Sequence, residues 1–393
     1  MAGDLDHSEL TPSPDAPAPR RRRFRWRLTQ REREEAYYTA TQWKLMWLKF
    51  KAHRPALISL YVIILFYVVA MFAGFFAVND PVERRWRQLW LAPSMPHWTD
   101  ADGSFNPHVY FTRSRLDKEL LKRVYEEDTD QKHDLRFFVR GDKYKLLGLI
   151  EWDVHLIGTT SGEANFFPLG TDGSGRCVFS RVIYGSQLSL SIGLLAVSLT
   201  FVLGIIIGGI SGYFGGTLDN IIQRMIEVLM CFPSLPLWMA LSAALPVEWS
   251  IIKVYFAISL ILSIMGWTGL ARTVRSKFLA LREEEFVLAA ELDGASRGRL
   301  MFRHMLPSFA SHLIVSASLA IPGMILGETT LSFLNIGLRP PAISWGVLLQ
   351  QAQNVEAMAL RPWLLTPAVA VIIIVVAFNF MGDGLRDAAD PYR

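Results

Sequence analysis

The stretch AAELDGASRGRLMFRHMLP, residues 289–307, lies between two long apolar segments and combines small, basic and helix-breaking residues. The acidic run at 283–285 suits the positive end of a starting helix. Gly294 suits the left-handed backbone that ends a helix, and Ser296 can cap a second helix. The stretch therefore predicts two short helices joined by a bend. Because a mere linker needs no folded helix pair, we expect a docking element for another protein.

The composition of the whole chain is typical of a membrane protein with soluble parts. Its 393 residues are 51% hydrophobic and 19% charged, against about 25% charged in soluble domains. The net charge of +4 is too small and too dispersed to indicate nucleic-acid binding. Cys177 and Cys231 have no CxxC partner, so neither a disulfide framework nor a metal site is predicted. No P-loop motif occurs, and no cofactor is expected.

Six apolar segments are candidates to cross a bilayer core of about 30 Å, which takes about 20 helical residues. They are residues 56–78, 188–214, 230–246, 254–270, 312–334 and 363–385. In lipid the backbone must satisfy its own hydrogen bonds, so we expect helices. Prolines mark kinks or ends of these helices, at Pro233, Pro236, Pro246, Pro322 and Pro367. The predicted fold class is an all-α membrane protein with six transmembrane helices.

The distribution of Lys and Arg predicts the orientation of these helices. Seven basic residues lie between 272 and 303, whereas the connection at 247–253 has only Lys253. Both termini and a loop at 271–308 are therefore expected in the cytoplasm. The resulting domains are a basic tail with an interfacial helix (1–54), a first span (55–78), an outer insert (79–187) and a core with five spans (188–393).

Two of these domains carry open questions. The Pro- and Arg-rich tail is expected to be disordered. Its basic run, Arg20–Arg23, either sets orientation or touches anionic lipid, or it makes a specific regulatory or nucleic-acid contact. The insert mixes aromatic and charged residues, as in RFFVRGDKYKLLGLIEWDVHLIG at 136–158. A connection of that length predicts a small extracytoplasmic mixed α/β subdomain. It either contacts a partner or substrate, or has no direct role.

Glu328 and a stripe of glycines stand out within the spans. An ionisable residue inside a span is costly, so Glu328 is either a buried structural carboxylate or part of a pathway or gate. The stripe has the spacing that lets helix backbones approach closely, and it consists of Gly204, Gly208, Gly209 and Gly212. The stripe predicts a packed interface, either within this chain or with a second subunit.

The stretch at 289–307 also resembles the coupling loop of ABC importer permeases, in which Glu-Ala-Ala is followed after three residues by Gly and after nine more by Ile-x-Leu-Pro. Leu288 replaces the Glu and His304 the Ile, and the RHMLP form resembles C-type permeases of the oligopeptide/dipeptide subfamily. The matching positions are Ala289, Ala290, Gly294, Leu306 and Pro307.

Four further segments resemble the same subfamily, at residues 169–193, 212–228, 331–349 and 378–391. With them the resemblance covers roughly residues 165–391 in order. Cys177 stands where the family often has Asp, and Asn335 where it often has Gly.

The resemblance implies the ABC importer permease fold and a location in the bacterial inner membrane. It also implies three kinds of protein partner, besides membrane lipid: a homologous second permease subunit, two cytoplasmic ATPase subunits and an extracytoplasmic substrate-binding protein. The chain itself would be no enzyme, because the partners hydrolyse ATP. The residues implied to couple to the ATPase are Ala289, Ala290, Gly294, Ser296, His304, Leu306 and Pro307.

The implied substrate is a peptide, but related permeases of this subfamily also serve oligosaccharides, opines and nickel. A different class, an ion-coupled secondary carrier, would be expected to show discontinuous helices and acids in mid-span. The sequence offers mainly Glu328 for that role, and the carrier leaves the docking element at 289–307 without a purpose.

Overall fold

The computed structural model describes residues 42–100, 104–117, 122–146, 150–159 and 166–390. The Arg-rich tail, with the disorder expected of it, lies outside these residues. The chain divides into two compact units, Met1–Trp47 and Leu48–Arg393. Of the first unit only part of one helix is described, and every other element belongs to the second.

The described part of the chain is mainly helical. In chain order its α-helices are α1 (Gln42–Ala52), α2 (Arg54–Met71), α3 (Ala73–Phe76), α4 (Val178–Phe214), α5 (Gly216–Met230), α6 (Ser234–Ala243), α7 (Ile251–Leu281), α8 (Glu285–Leu292), α9 (Arg297–Arg299), α10 (Leu306–Ser308), α11 (Ala310–Phe333), α12 (Trp345–Gln350), α13 (Val355–Leu360) and α14 (Thr366–Ala389). A π-helical turn covers Leu300–Met305, and a 3-10 helix covers Pro362–Leu365.

Five of the described helices are long and apolar enough to cross a membrane: α2, α4, α7, α11 and the run Pro362–Ala389. Their inner faces form one core, because each span buries the side that its neighbours cover. Fully or nearly fully buried members include Leu190, Ile192, Ile258, Leu262, Ile325 and Ile374. The predicted all-α membrane class is confirmed.

The second span starts earlier than its apolar residues indicate. Helix α4 begins at Val178 rather than at Leu188. Arg181 lies within these extra turns, buried beside Asp172. A charged residue lowers the local hydropathy, so the apolar pattern marks only the part of the helix that follows.

The third predicted span, 230–246, is not one straight helix. Helices α5 and α6 meet at an angle of 83° across the break at 231–233, and only together do they pass as a sixth span. Pro233 precedes α6 as its N-cap residue, where its missing N–H costs no helical hydrogen bond. The six-span prediction holds only if this bent pair is counted as one span.

The glycine stripe of α4 packs on α7 within this chain. A Cβ on Gly208 would lie 2.4 Å from the carbonyl oxygen of Ala271, and one on Gly212 would lie 2.6 Å from that of Arg275. Because both contacts advance along the two helices in the same direction, α4 and α7 are parallel. The connection between them must therefore return along the bundle, which is the path of the bent pair.

The outer insert contains an antiparallel sheet. Its strands are β1 (His97–Thr99), β2 (Phe105–Asp117), β3 (Lys122–Leu146) and β4 (Ile150–Thr159), in the order β1-β2-β3-β4. Strand β3 pairs with β2 along its first half and with β4 along its second half. The expected strands are confirmed, whereas the described residues between Phe76 and Val178 contain no helix. Antiparallel strands satisfy their backbone hydrogen bonds by pairing with one another, so the sheet forms without a helix.

Candidate functional site

The segment 285–306, hereafter the coupling segment, starts at a helix end marked by acids. Glu284 has extended backbone and is the N-cap residue of α8, which begins at Glu285. Carboxylates near this terminus favour the helix, because the first amides carry partial positive charge. The predicted start of the first short helix is confirmed.

The bend at Gly294 is a complete Schellman motif. The amide of Gly294 donates to the carbonyl of Glu291 at 2.9 Å, and the amide of Ala295 donates to that of Ala290 at 3.1 Å. These bonds satisfy carbonyl groups that the end of a helix leaves free, and they require a residue with positive φ. Gly294 has φ +80°, so it ends α8 as predicted.

A second helical run begins two residues later. Ser296 has extended backbone, and its hydroxyl oxygen accepts a hydrogen bond from the Arg299 amide at 3.4 Å. Helix α9, the π-helical turn Leu300–Met305 and α10 then follow without a break. His304 and Leu306 lie half-buried on this run, and Pro307 is exposed. The predicted helix pair and its cap are confirmed.

One side of the coupling segment is anchored in the protein. Val287, Leu300 and Met305 are buried in a cluster with residues at the end of α7 and the start of α11. That cluster also includes Val274, Phe278, Phe309 and Leu313. Movement of the segment would therefore be transmitted directly to two membrane-spanning helices.

The opposite side presents apolar side chains to the surface. Leu292 is 90% exposed, and three further large apolar side chains are exposed on the same segment, namely Phe286, Leu288 and Phe302. Exposed apolar groups that lie together mark a contact surface. The spacing of Val287 and Ala290 on the inner face is the signal that these residues lie outside, but the exposed surface was not among the predicted features.

The two adjacent alanines have different surroundings. Ala290 is half-buried and packs on the inner cluster, whereas Ala289 is exposed. Consecutive helical residues lie about 100° apart around the axis, so only one of the two can point inward. The structure thus brings the predicted residues into one segment, and their role in contacting an ATPase stays a prediction.

Glu328 lies at the other side of the core, in α11, and is fully buried. The hydroxyl groups of Ser189 and Ser332 donate to its carboxylate, at 3.1 and 2.8 Å. The hydroxyl oxygen of Ser189 also accepts a hydrogen bond from the backbone amide of Trp345, at 3.1 Å. The carboxyl group thus joins α4, α11 and α12 through hydrogen bonds, as a structural carboxylate does. A part for Glu328 in a pathway or gate stays a prediction.

An ion-pair cluster that was not predicted precedes α4. Asp172 accepts the backbone amides of Ser174 and Arg176, at 2.8 and 3.1 Å, and pairs with the side chains of Arg176 and Arg181. Asp172 and Arg181 are both buried. The signal for it was the Asp followed by Gly and Ser, which favours a turn in which the carboxylate accepts nearby amides.

The described residues include no group of three or more His, Cys, Asp or Glu side chains that could hold a metal ion. Cys177 is buried and Cys231 is exposed, and both are free thiols. What the arrangement offers is an exposed apolar surface anchored to one end of the bundle, and a set of buried polar contacts within the bundle.

Two family models match parts of this chain. Residues 204–392 match the family described as binding-protein-dependent transport system inner membrane component, and residues 41–93 match the N-terminal transmembrane domain of oligopeptide transport permease C. A solved structure of the MetNI methionine ABC transporter in an inward-facing conformation aligns over 53% of this chain and 95% of that chain, with 17% identity and a TM-score of 0.40.

Curated relatives include the dipeptide transport permease DppC of Alkalihalophilus pseudofirmus, 39% identical over 56% of this chain and 71% of that protein. The oligopeptide transport permease OppC of Bacillus subtilis is 38% identical over 56% and 70%. OppC of Haemophilus influenzae is 38% identical over 61% and 75%. The chain therefore belongs to the inner-membrane permeases of binding-protein-dependent ABC importers, in the branch of the oligopeptide and dipeptide permeases.

Proposed function

We propose that the chain forms part of the translocation pathway of a peptide importer and that the coupling segment is its contact with an ATPase. Peptide transport is what its relatives are named for. The chain is a multi-pass membrane permease and not an ATPase, so its energy must come from another subunit. The proposed partners are a homologous second permease, two ATPases and an external binding protein, with lipid around the spans.

The observation that carries the proposal is the shape of the coupling segment. Its bend is held by a full set of capping hydrogen bonds, one side is packed against α7 and α11, and the other side exposes Leu292 and Phe286. A rigid, apolar and anchored surface is suited to receive force from a bound protein. A segment that merely linked two spans would require none of these features.

The proposed orientation and domains follow from the same assignment. An ATPase is cytoplasmic, so residues 271–308 and both termini lie in the cytoplasm and the sheet lies outside. The 37 residues of α4 separate the sheet from that side by about 55 Å, at 1.5 Å per residue. That length exceeds the bilayer core of about 30 Å, so the two regions can lie on opposite sides.

The experiment is ATP hydrolysis by the complex of this chain with its neighbouring permease and ATPase subunits in lipid nanodiscs. The binding protein is added empty, loaded with peptide, or loaded with oligosaccharide. We expect stimulation by the peptide-loaded form alone. Stimulation by the oligosaccharide-loaded form alone would keep the mechanism and reject the peptide.

A failure of the chain to assemble with any ATPase would reject the coupling segment as the joint. A disulfide cross-link supplies the matched control, with cysteine introduced on the facing surface of the ATPase and an added oxidant. Cysteine at exposed Leu292 should then link to the ATPase, whereas cysteine at Val247, exposed in the loop before α7, should not. Cross-linking at both positions would show non-specific contact.

A further inference from the structure

Two adjoining cavities lie where α2 meets the sheet. The first, of about 590 Å³, is bounded by α2, α4 and the end of β3, and its polar lining consists of Tyr67, Lys145, Tyr184, Gln187 and Ser191. The second, of about 450 Å³, is lined almost wholly by apolar and aromatic side chains, among them Phe72, Phe75, Phe138 and Trp152. Leu146 lines both cavities, so they lie side by side, and the pair is treated as one groove with two parts. We name it the sheet-side groove.

The sheet-side groove is formed by fixed elements. The ring of Tyr144 packs directly against Gly74, where an added Cβ would come within 2.1 Å of it, and its hydroxyl donates to the Val154 carbonyl at 2.7 Å. Nδ1 of His155 lies 2.7 Å from the Ala77 carbonyl oxygen. These contacts attach the sheet to the chain that leaves the first span. A groove that is preformed in this way is the usual form of a ligand site.

The polar part of the groove can bind an anionic group. Among the residues that the structure describes, Lys145 forms no ion pair, although it sits opposite Glu151 in the strand register. The hydroxyl of Tyr67 is buried and has no hydrogen-bond partner in the described chain. An ammonium group and a phenol are both donors. A phosphate offers oxygen acceptors for both, and a charge complementary to that of Lys145.

The apolar part of the groove continues the lipid-facing side of a membrane span. Leu65, Val68 and Met71 are exposed along α2, and α2 is apolar enough to cross the membrane. Val68 lines the second cavity and Met71 the first. In a bilayer, acyl chains would therefore lie against the helix that forms one wall of the groove. Aromatic residues such as Trp152 and Tyr144 occur typically at this level of a bilayer.

We propose that the sheet-side groove binds a phospholipid of the leaflet next to the sheet. Its phosphate contacts Lys145 and the Tyr67 hydroxyl, and one acyl chain fills the aromatic cavity beside Trp152. The bound lipid joins the sheet, α2 and α4, and it stabilises the sheet against the bundle. This proposed site involves no residue of the coupling segment, and it does not depend on which substrate is transported.

The test uses the full chain, assembled with its partner subunits, in nanodiscs that contain phosphatidylglycerol with a photoreactive diazirine on one acyl chain. After irradiation, labelled peptides are identified by mass spectrometry. We expect label on the peptides that contain Phe72–Phe76 and Tyr144–Trp152. Lys145→Gln should lower that label roughly tenfold, as the loss of one charge-assisted hydrogen bond predicts.

The matched control is Lys253→Gln, which removes an exposed charge at the start of α7 and does not line the groove. It should leave the label unchanged. Equal labelling of the Lys145 variant and the control would overturn the proposal. Label spread evenly along α2, with none on Tyr144–Trp152, would also overturn it.

Two further measurements allow for a Lys145 variant that folds poorly and for a groove that is filled by a molecule other than lipid. Trp152→Ser, on the other wall of the groove, should lower the label without changing the charge of the site. A photoreactive amino acid at position 152 should cross-link to lipid. A cross-link from position 152 to the second permease subunit instead would show that protein fills the groove and would reject the lipid.

Discussion

The glycines of the α4–α7 contact and the glycine of the coupling segment serve different physical needs. Gly208 has helical backbone, and what it requires is space, because a Cβ there would strike the Ala271 carbonyl oxygen at 2.4 Å. Gly294 has φ +80° and no atom within 4 Å of an added Cβ. It requires a backbone conformation that other residues adopt only at a cost of about 1–2 kcal/mol.

The role of a glycine therefore depends on its surroundings, and the residue type alone does not reveal it. At Gly208 any side chain pushes two helices apart, whatever its conformational preference. At Gly294 a residue that tolerates positive φ can replace glycine, unless a partner protein needs the space. Asn335, with φ +61°, already occupies the equivalent position after α11. Its backbone amide donates to the Ser332 carbonyl, and the backbone amide of Ile336 donates to the Leu331 carbonyl.

The largest expected effect concerns substitutions at Gly294. Gly294→Arg should insert and assemble but reduce uptake to background, because a long side chain then stands at the proposed ATPase joint. Gly294→Asn should retain most uptake, since Asn tolerates a left-handed backbone. Uptake of a radiolabelled peptide by cells, normalised to membrane-inserted protein, measures both. Normal uptake by the Arg variant would remove the joint from this position.

The second prediction concerns space between helices. Gly208→Leu should lower the free energy of unfolding by about 3 kcal/mol, the upper part of the usual range for overpacking. Gly269→Leu on α7 is the control, because no atom lies within 4 Å of its added Cβ. The thermal midpoint of each purified variant in detergent measures the effect. Equal midpoints would show that the helices separate without cost.

The third prediction uses a contact that the close approach of α4 and α7 permits. Nε and Nη2 of Arg275 donate to the two carboxylate oxygens of Asp219, both at 2.5 Å, and Ser211 donates to the same group. Asp219→Ala should cost about 2 kcal/mol, as expected for charge-assisted hydrogen bonds that are partly buried.

The control for this pair is Glu227→Ala, which removes the exposed pair of Glu227 with Arg224, formed at 2.6 Å. An exposed pair three residues apart contributes at most about 0.5 kcal/mol. Thermal unfolding of the two variants in the same detergent makes the comparison. If both lose the same stability, the Asp219 contact is no stronger than a surface pair.

The smallest expected effect concerns the cap that follows the bend at Gly294. Ser296→Ala should destabilise the second helical run by about 1 kcal/mol, because it removes the cap. Ser296→Asp keeps an acceptor and should behave as wild type. Hydrogen exchange of the amides at 297–300, followed by mass spectrometry, should be faster in the Ala variant alone. Unchanged exchange would mean that tertiary packing, and not the cap, holds this run.

The success at the coupling segment has a physical reason. Its start, bend and second cap depend on Glu284, Gly294 and Ser296, each acting on amides or carbonyl groups within five residues. Such short-range preferences are present in the order of residues. The side of α8 that faces outward was not predicted, because it depends on where α7 and α11 lie.

The features that were not predicted also have a physical cause. The early start of α4 needs Asp172 to compensate Arg181, which an apolar pattern does not register. The break before α6 was indicated by Pro233, but the proline alone does not determine its angle of 83°. Strand β3 changes its partner halfway along, and no local pattern of β3 indicates that change.

By itself the sequence determined the membrane class, the apolar spans, the family resemblance and the capped bend, since these depend on composition and near neighbours. Tertiary structure alone decided which helix the glycine stripe meets, that Glu328 is enclosed by seryl hydroxyls, and that the sheet forms a groove over α2 beside Lys145. These features bring together groups far apart in the chain. Their energies come from packing and charge between elements, which exist only once the bundle has formed.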